Sequence, residues 1–160
     1  MATQQLPADI TRQGRMHPEE LDAFLKRPVM CRLGCVKPDG MPYVIPVWHT
    51  YADGGFYFVI RERADWVPWV LRDGRVSLCI DSEQYERVLV EGTLEVVEEP
   101  NVGGRWVPIC REMSLRYFGE GGLAYFQKTL NEPRWLLFVR PSHITTWVGG
   151  WAKRYKHSDW

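Results

Sequence analysis

The chain has 160 residues, 45% of them hydrophobic and 25% charged, the profile of one compact soluble domain rather than two. Its formal net charge is zero, which excludes nucleic acid as a partner, because such binding neutralises many phosphates with clustered Lys and Arg. No run of about 18 apolar residues occurs, so no membrane-spanning helix is expected, and 8 Trp leave aromatic rings to spare for a ligand pocket or an interface.

Residues 1–15, MATQQLPADITRQGR, lack the apolar core of a signal peptide and read as a mobile polar lead-in to a single domain over 16–160. His17 to Lys26 predicts a helix. Pro18 suits its first position, Glu19 and Glu20 complement the positive end of its dipole, and Leu21, Phe24 and Leu25 make one apolar stripe. Val29, Cys31, Leu33 and Cys35 then alternate with Met30, Arg32, Gly34 and Val36, a strand that ends at the turn KPDG.

From Met41 to Tyr51 apolar residues fall on both alternation faces, which predicts a strand buried on both sides. ADGG at Ala52 to Gly55 reverses the chain, so Phe56 to Ile60 is expected to return antiparallel beside that strand. Arg61 and Arg63 follow, then a short helix-like piece with Trp66, Trp69 and Leu71, then an alternating strand with Val76, Leu78 and Ile80. A basic crossover at the rim of a barrel is a place to hold an anionic cofactor.

Arg87 to Glu98 alternates Val88, Val90, Leu94 and Val96 against Glu91, Thr93 and Glu95, with Gly92 marking a bend. From Gly103 the period changes: Trp106, Ile109, Cys110, Met113 and Tyr117 recur at three and four, a helix that Gly119 ends. GEGG, Gly119 to Gly122, reads as a connector to a second short helix over Leu123 to Leu130. The last strand runs from Trp135 to Arg140, and after Pro141 the stretch His143 to Val148 extends it or adds an edge strand. Together these elements predict a mainly β domain: a six-stranded antiparallel barrel with peripheral helices.

Cys31, Cys35, Cys79 and Cys110 include no CxxC pair, and Cys31 and Cys35 stand about 13 Å apart at ~3.3 Å rise per residue, too far to bridge. They read as buried free thiols, which suits a cytoplasmic protein. His49 and His143 are too isolated to make a zinc set with them, so no metal site is expected. Asp81, Glu83 and Glu86 sit in a solvated loop, and GxSxG, Walker and GxGxxG motifs do not occur. No side chain is therefore assigned as a catalytic acid, base or nucleophile.

The order EELDAFL, a DG hairpin, PVW, a strand ending at a basic crossover, RVSLCID, VLVEGTLEVVEE, RYFGEGG and RWLLFVRPSHITTW resembles the pyridoxamine 5'-phosphate oxidase-like, flavin-binding split β-barrel family. The likeness is to its small bacterial members that use FMN or the deazaflavin F420. It spans Met16 to Arg154, and its specificity lies in the order and spacing of the motifs rather than in any one of them.

The resemblance implies a homodimer with two cofactor sites at the subunit interface. Pro46, Val47 and Trp48 would lie along the isoalloxazine ring, and Ile60 to Trp66 would approach the phosphate. The C-terminal segment would cross to the partner, bringing Trp147, Trp151 and Arg154 near the other subunit's ring. The family's Ser-Arg-Lys-like phosphate triplet is matched here by Ala64, Asp65 and Trp66, a departure that removes the usual grip.

Arg61 and Arg63, sharing one strand face, are either its replacement or solvated surface charges. Trp66 either stacks on a ring or fills the gap beneath the crossover. The function implied is hydride transfer between the cofactor and a small conjugated substrate, with FMN preferred and F420 the alternative, and with Tyr43, His49, Tyr57 and Trp147 on the substrate side. A non-catalytic protein holding flavin, haem or a small aromatic ligand is the competing expectation, favoured by the missing triplet.

Overall fold

In the computed structural model, which describes residues 14–149, the N-terminal helix forms as α1 (Pro18–Leu25). Pro18 takes a first-turn position, where it forfeits no hydrogen bond, and the His17 N–H donates to the Glu20 carboxylate at 2.6 Å. The stripe that the sequence predicts buries Phe24 and Leu25 in the core.

Seven strands make one sheet: β1 (Cys31–Val36), β2 (Pro42–Val47), β3 (Thr50–Ala52), β4 (Gly55–Arg61), β5 (Arg75–Asp81), β6 (Arg87–Asn101) and β7 (Arg134–Trp147). Their order is β2-β1-β5-β6-β7-β4-β3, with every neighbouring pair antiparallel. β2 and β3 sit at opposite ends of that order, although only Trp48 and His49 separate them in sequence. This short link curls the sheet on itself, producing a barrel that is split where the two end strands do not pair.

The expected single strand from Met41 to Tyr51 is thus two strands, which raises the expected count of six to seven. Only Thr50 to Ala52 pairs with the returning β4, whereas β2 pairs with β1. Nor is β2 buried on both sides: Val44 is 63% exposed, because an end strand has no neighbour on its outer side. Pro42 and Pro46 carry the available signal, since a strand containing proline belongs at a sheet edge. At the other end of the chain, β7 runs unbroken through Pro141, accommodated where the register with β6 shifts at Gly92.

Alternation divides β4 and β7 between two apolar layers. Phe56, Phe58, Leu137 and Val139 join Leu33, Leu78, Ile80 and Val88 inside the barrel. Leu136 points to the other face, into a second cluster with Trp106, Cys110 and Phe126 of α3 (Trp106–Lys128), against which Tyr57 and Val59 also pack. β7 is therefore covered on both faces, which is why RWLLFV reads as a nearly continuous apolar run. A third helix, α2 (Val67–Asp73), forms the crossover between β4 and β5.

α3 is two helical limbs joined at Gly119, whose φ of 59° and ψ of −144° interrupt the helix. The expected connector of four residues contracts to this one glycine. The distal limb folds back so closely that a Cβ at Gly122 would lie 1.9 Å from the Ser114 carbonyl oxygen, an approach open only to glycine. Replacing Gly122 with Ala is expected to cost about 2 kcal/mol or more of stability, read as a lower urea midpoint; an unchanged midpoint would show that the limbs do not meet there.

Candidate functional site

The break between β2 and β3 is held by α3. His49 is fully buried, and its Nδ1 lies 3.1 Å from the Tyr117 hydroxyl, which donates to the Val29 carbonyl at 3.0 Å. The Arg116 guanidinium donates to the His49 carbonyl, to Thr50 Oγ1 at 3.2 Å and to the Leu25 carbonyl at 3.5 Å. The indole of Trp48 stacks on Tyr117, with ring centroids 5.0 Å apart and planes within 7° of parallel. Burial, reinforced by the Arg116 charge, lowers the His49 pKa to about 4, while burial raises that of Tyr117 to about 12.

On the outer side of this seam lies a pocket of about 390 Å³. The end of β2 supplies Pro46 and Val47, the link after it supplies Trp48, the end of β4 supplies Ile60 and Arg61, and the crossover supplies Ala64 and Trp66. Cys110, Met113 and Tyr125 of α3 face them, with Arg134 at the start of β7. One wall is apolar, made by Ile45, Pro46, Val47, Val59 and Ile60. Beside it runs the outer edge of β2, whose backbone N–H and C=O groups have no strand neighbour. The cationic end is built from Arg61, which donates to Tyr125 Oη at 2.6 Å and pairs with Glu132, and from Arg134, 5% exposed.

Six residues predicted for the cofactor, Pro46, Val47, Trp48, Ile60, Arg61 and Trp66, thus line one pocket. Trp66 is 7% exposed and belongs to the barrel core, so it chiefly fills the space beneath the crossover. Arg63 does not share a strand face with Arg61: β4 ends at Arg61, the chain turns, and Arg63 is exposed outside the pocket lining.

The residues expected on the substrate side lie elsewhere. Tyr43 packs edge-on against Trp69 at 5.2 Å and lines a separate groove. His49 is locked in the seam. Tyr57 donates to Asp53 at 2.8 Å, and Trp147 pairs with Arg87 at the end of the sheet. Trp151 and Arg154 lie outside the described residues.

Sequence reasoning missed Tyr125, Glu132, Arg134, Cys110 and Met113 as companions of this pocket. Arg134 falls in step with Leu136 and Phe138, but the exposed Arg140 shares that step, so spacing alone did not single it out. The four cysteines are free, with Cys79 half-buried and the others buried. Burial raises the Cys110 thiol pKa, against an opposing pull from Arg134 and Arg61. Among the described residues no group of three or more His, Cys, Asp or Glu could hold a metal ion, and no helix is long and apolar enough to cross a membrane.

A family model described as pyridoxamine 5'-phosphate oxidase matches residues 17–148. Comparison with curated proteins found no match. Among solved structures, an F420 reductase is 18% identical, with 77% of this chain and 94% of that one covered and a TM-score of 0.59. HutZ, the haem storage protein from Vibrio cholerae, is 19% identical over 85% of this chain and 98% of its own, with a TM-score of 0.61. A pyridoxamine 5'-phosphate oxidase-related, FMN binding protein from Nostoc punctiforme is 14% identical over 81% and 83%, with a TM-score of 0.57. At these identities the likeness is one of fold.

The seam carries a pH dependence. Above about pH 6.5 the imidazole of residue 49 is neutral in both folded and unfolded chains. Below it, the unfolded chain takes up a proton that the folded chain refuses until the pH falls to about 4. This ring therefore destabilises the fold as the pH drops through that window, by roughly 3 kcal/mol in all. Unfolding free energies measured from pH 7 to pH 4 should fall more steeply for the wild type than for His49→Asn; parallel profiles would show that the histidine is not held neutral.

Proposed function

The chain belongs to the pyridoxamine 5'-phosphate oxidase family, and on that premise we propose that it is an oxidoreductase of the reducing cytoplasm using FMN, or alternatively F420. The observation that carries this reading is the pocket. It joins an apolar wall, the end of an edge strand and two guanidinium groups within one site, the three surfaces that an aromatic ring system with polar edges and a phosphate tail requires. The FMN-binding and F420 reductase relatives on the same fold support the choice of ring.

When bound, such a coenzyme supplies the two-electron chemistry, exchanging hydride with a small conjugated substrate. The chain's own residues bind and orient. Pro46, Val47 and Ile60 would lie against the ring and exclude water from one of its faces. The outer backbone groups of β2 fit its hydrogen-bonding edge, and Trp48 is held in place from behind by Tyr117. Arg61 would take the anionic tail in a charge-assisted hydrogen bond.

A dimer belongs to the same proposal. Met41, Tyr43 and Val44 stand exposed on and beside the unpaired edge strand β2, an apolar border that a second copy would cover. A cofactor store without turnover is the second reading, favoured by the likeness to the haem storage protein and by the replaced phosphate triplet.

The spectrum of the purified protein separates these: two flavin bands, the single deazaflavin band, or a sharp Soret band. A colourless protein that takes up neither FMN nor F420 would end the oxidoreductase reading. Arg61→Ala should weaken FMN binding by about tenfold, the worth of one charge-assisted hydrogen bond, with Arg63→Ala near wild type; equal effects would remove Arg61 from the site. Light scattering should give twice the 18.7 kDa chain mass, and a monomer would reject the shared site.

A further inference from the structure

Arg134 is a buried cation that no carboxylate among the described residues meets. One terminal nitrogen donates to Thr129 Oγ1 at 2.7 Å, the guanidinium lies 5.3 Å over the ring of Trp106, and its Nε is buried with no hydrogen-bond partner among the described residues. Among the described residues no carboxylate stands within ion-pair distance of it. A charge withdrawn from water is costly until an opposite charge meets it, and this one borders an open pocket.

The neighbouring cation is in the contrary state. Arg61 already carries the carboxylate of Glu132 and the hydroxyl of Tyr125. Arg61 and Arg134 are direct cross-strand partners where β4 pairs with β7, and both line the pocket, so they flank one end of it. A single carboxylate engages the first of them and leaves the second unpaired.

We propose that Arg61 and Arg134 form an anion subsite for a phosphate monoester, that Glu132 is its resident counter-ion, and that the phosphate enters by displacing Glu132 from Arg61. The assignment rests on the reading of the pocket as a coenzyme site and adds how that coenzyme is selected. A phosphate has oxygens enough to meet both cations, where Glu132 meets one. The exchange trades one ion pair for two, and the same ring without its phosphate gains nothing from it. The self-competing carboxylate therefore sets a threshold: neutral and singly charged ligands leave it in place.

The test compares FMN, riboflavin and inorganic phosphate on the full-length wild type, Glu132→Gln and Arg134→Gln. Binding of the flavins is followed by fluorescence and that of phosphate by calorimetry. Removing the competitor should tighten FMN and phosphate by about fivefold, the worth of a half-exposed ion pair, and leave riboflavin within about twofold. Arg134→Gln should weaken FMN and phosphate by about tenfold or more, again sparing riboflavin; circular dichroism checks that this variant folds.

FMN and phosphate binding that is unchanged or weaker in Glu132→Gln would overturn the counter-ion role, even where Arg134→Gln does not fold. Tighter phosphate binding with no flavin bound to any form would keep the subsite and sink the flavin reading instead. Failure of every form to bind phosphate or FMN would overturn the subsite itself.

Discussion

The architecture depends on how one helix fastens a break in a strand. A sheet whose first and last strands are consecutive in sequence must bend sharply between them, and the bend exposes backbone groups that no strand partner can satisfy. Here α3 satisfies them: Arg116 takes the His49 carbonyl together with that of Leu25, and Tyr117 reaches Val29 and the ring of His49. The arginine ties helix α1, the bend and α3 together at one guanidinium, whose fork geometry allows several acceptors at once. Burial and the Arg116 charge favour the neutral form of the imidazole there.

The same helix also builds the pocket. Its first limb brings Met113 and Cys110 against β2 and β4, and its returning limb brings Tyr125 to Arg61. Gly119 and Gly122 make that return possible within a few residues. Charge is then concentrated where the sheet, the helix and the loop before β7 converge, with Arg61 arriving from the end of β4 and Glu132 and Arg134 from the stretch that leads into β7. An apolar wall and a cationic end result from one packing arrangement, which is how a small barrel without a recognisable catalytic side chain can still present an oriented binding surface.

Local chemistry was legible in the sequence and closure was not. Pro18 with its two glutamates marked α1, Gly119 marked the end of a limb, and alternation marked β5 and β6. The link at Trp48 and His49 contains neither glycine nor proline, and Trp48 and Tyr51 keep large rings on either side of it, so nothing local distinguishes a broken strand from a long one. Its identity as a seam comes from Arg116 and Tyr117, more than sixty residues later. Arg61 was legible because it ends a strand at a crossover. Glu132 and Arg134 sit in NEPR, which reads as an ordinary polar turn until α3 places Tyr125 above it. Arg63 shows the converse: spacing by two implies a shared face only while the strand continues, and this strand stops two residues earlier.

Because Trp48 is both part of the break and part of the pocket wall, whatever occupies the pocket presses on the hinge pin of the barrel. Occupancy and closure are then linked equilibria, each favouring the other to the same extent. An empty barrel of this design would breathe at its seam first, and the guest would act as a wedge that holds the gate shut.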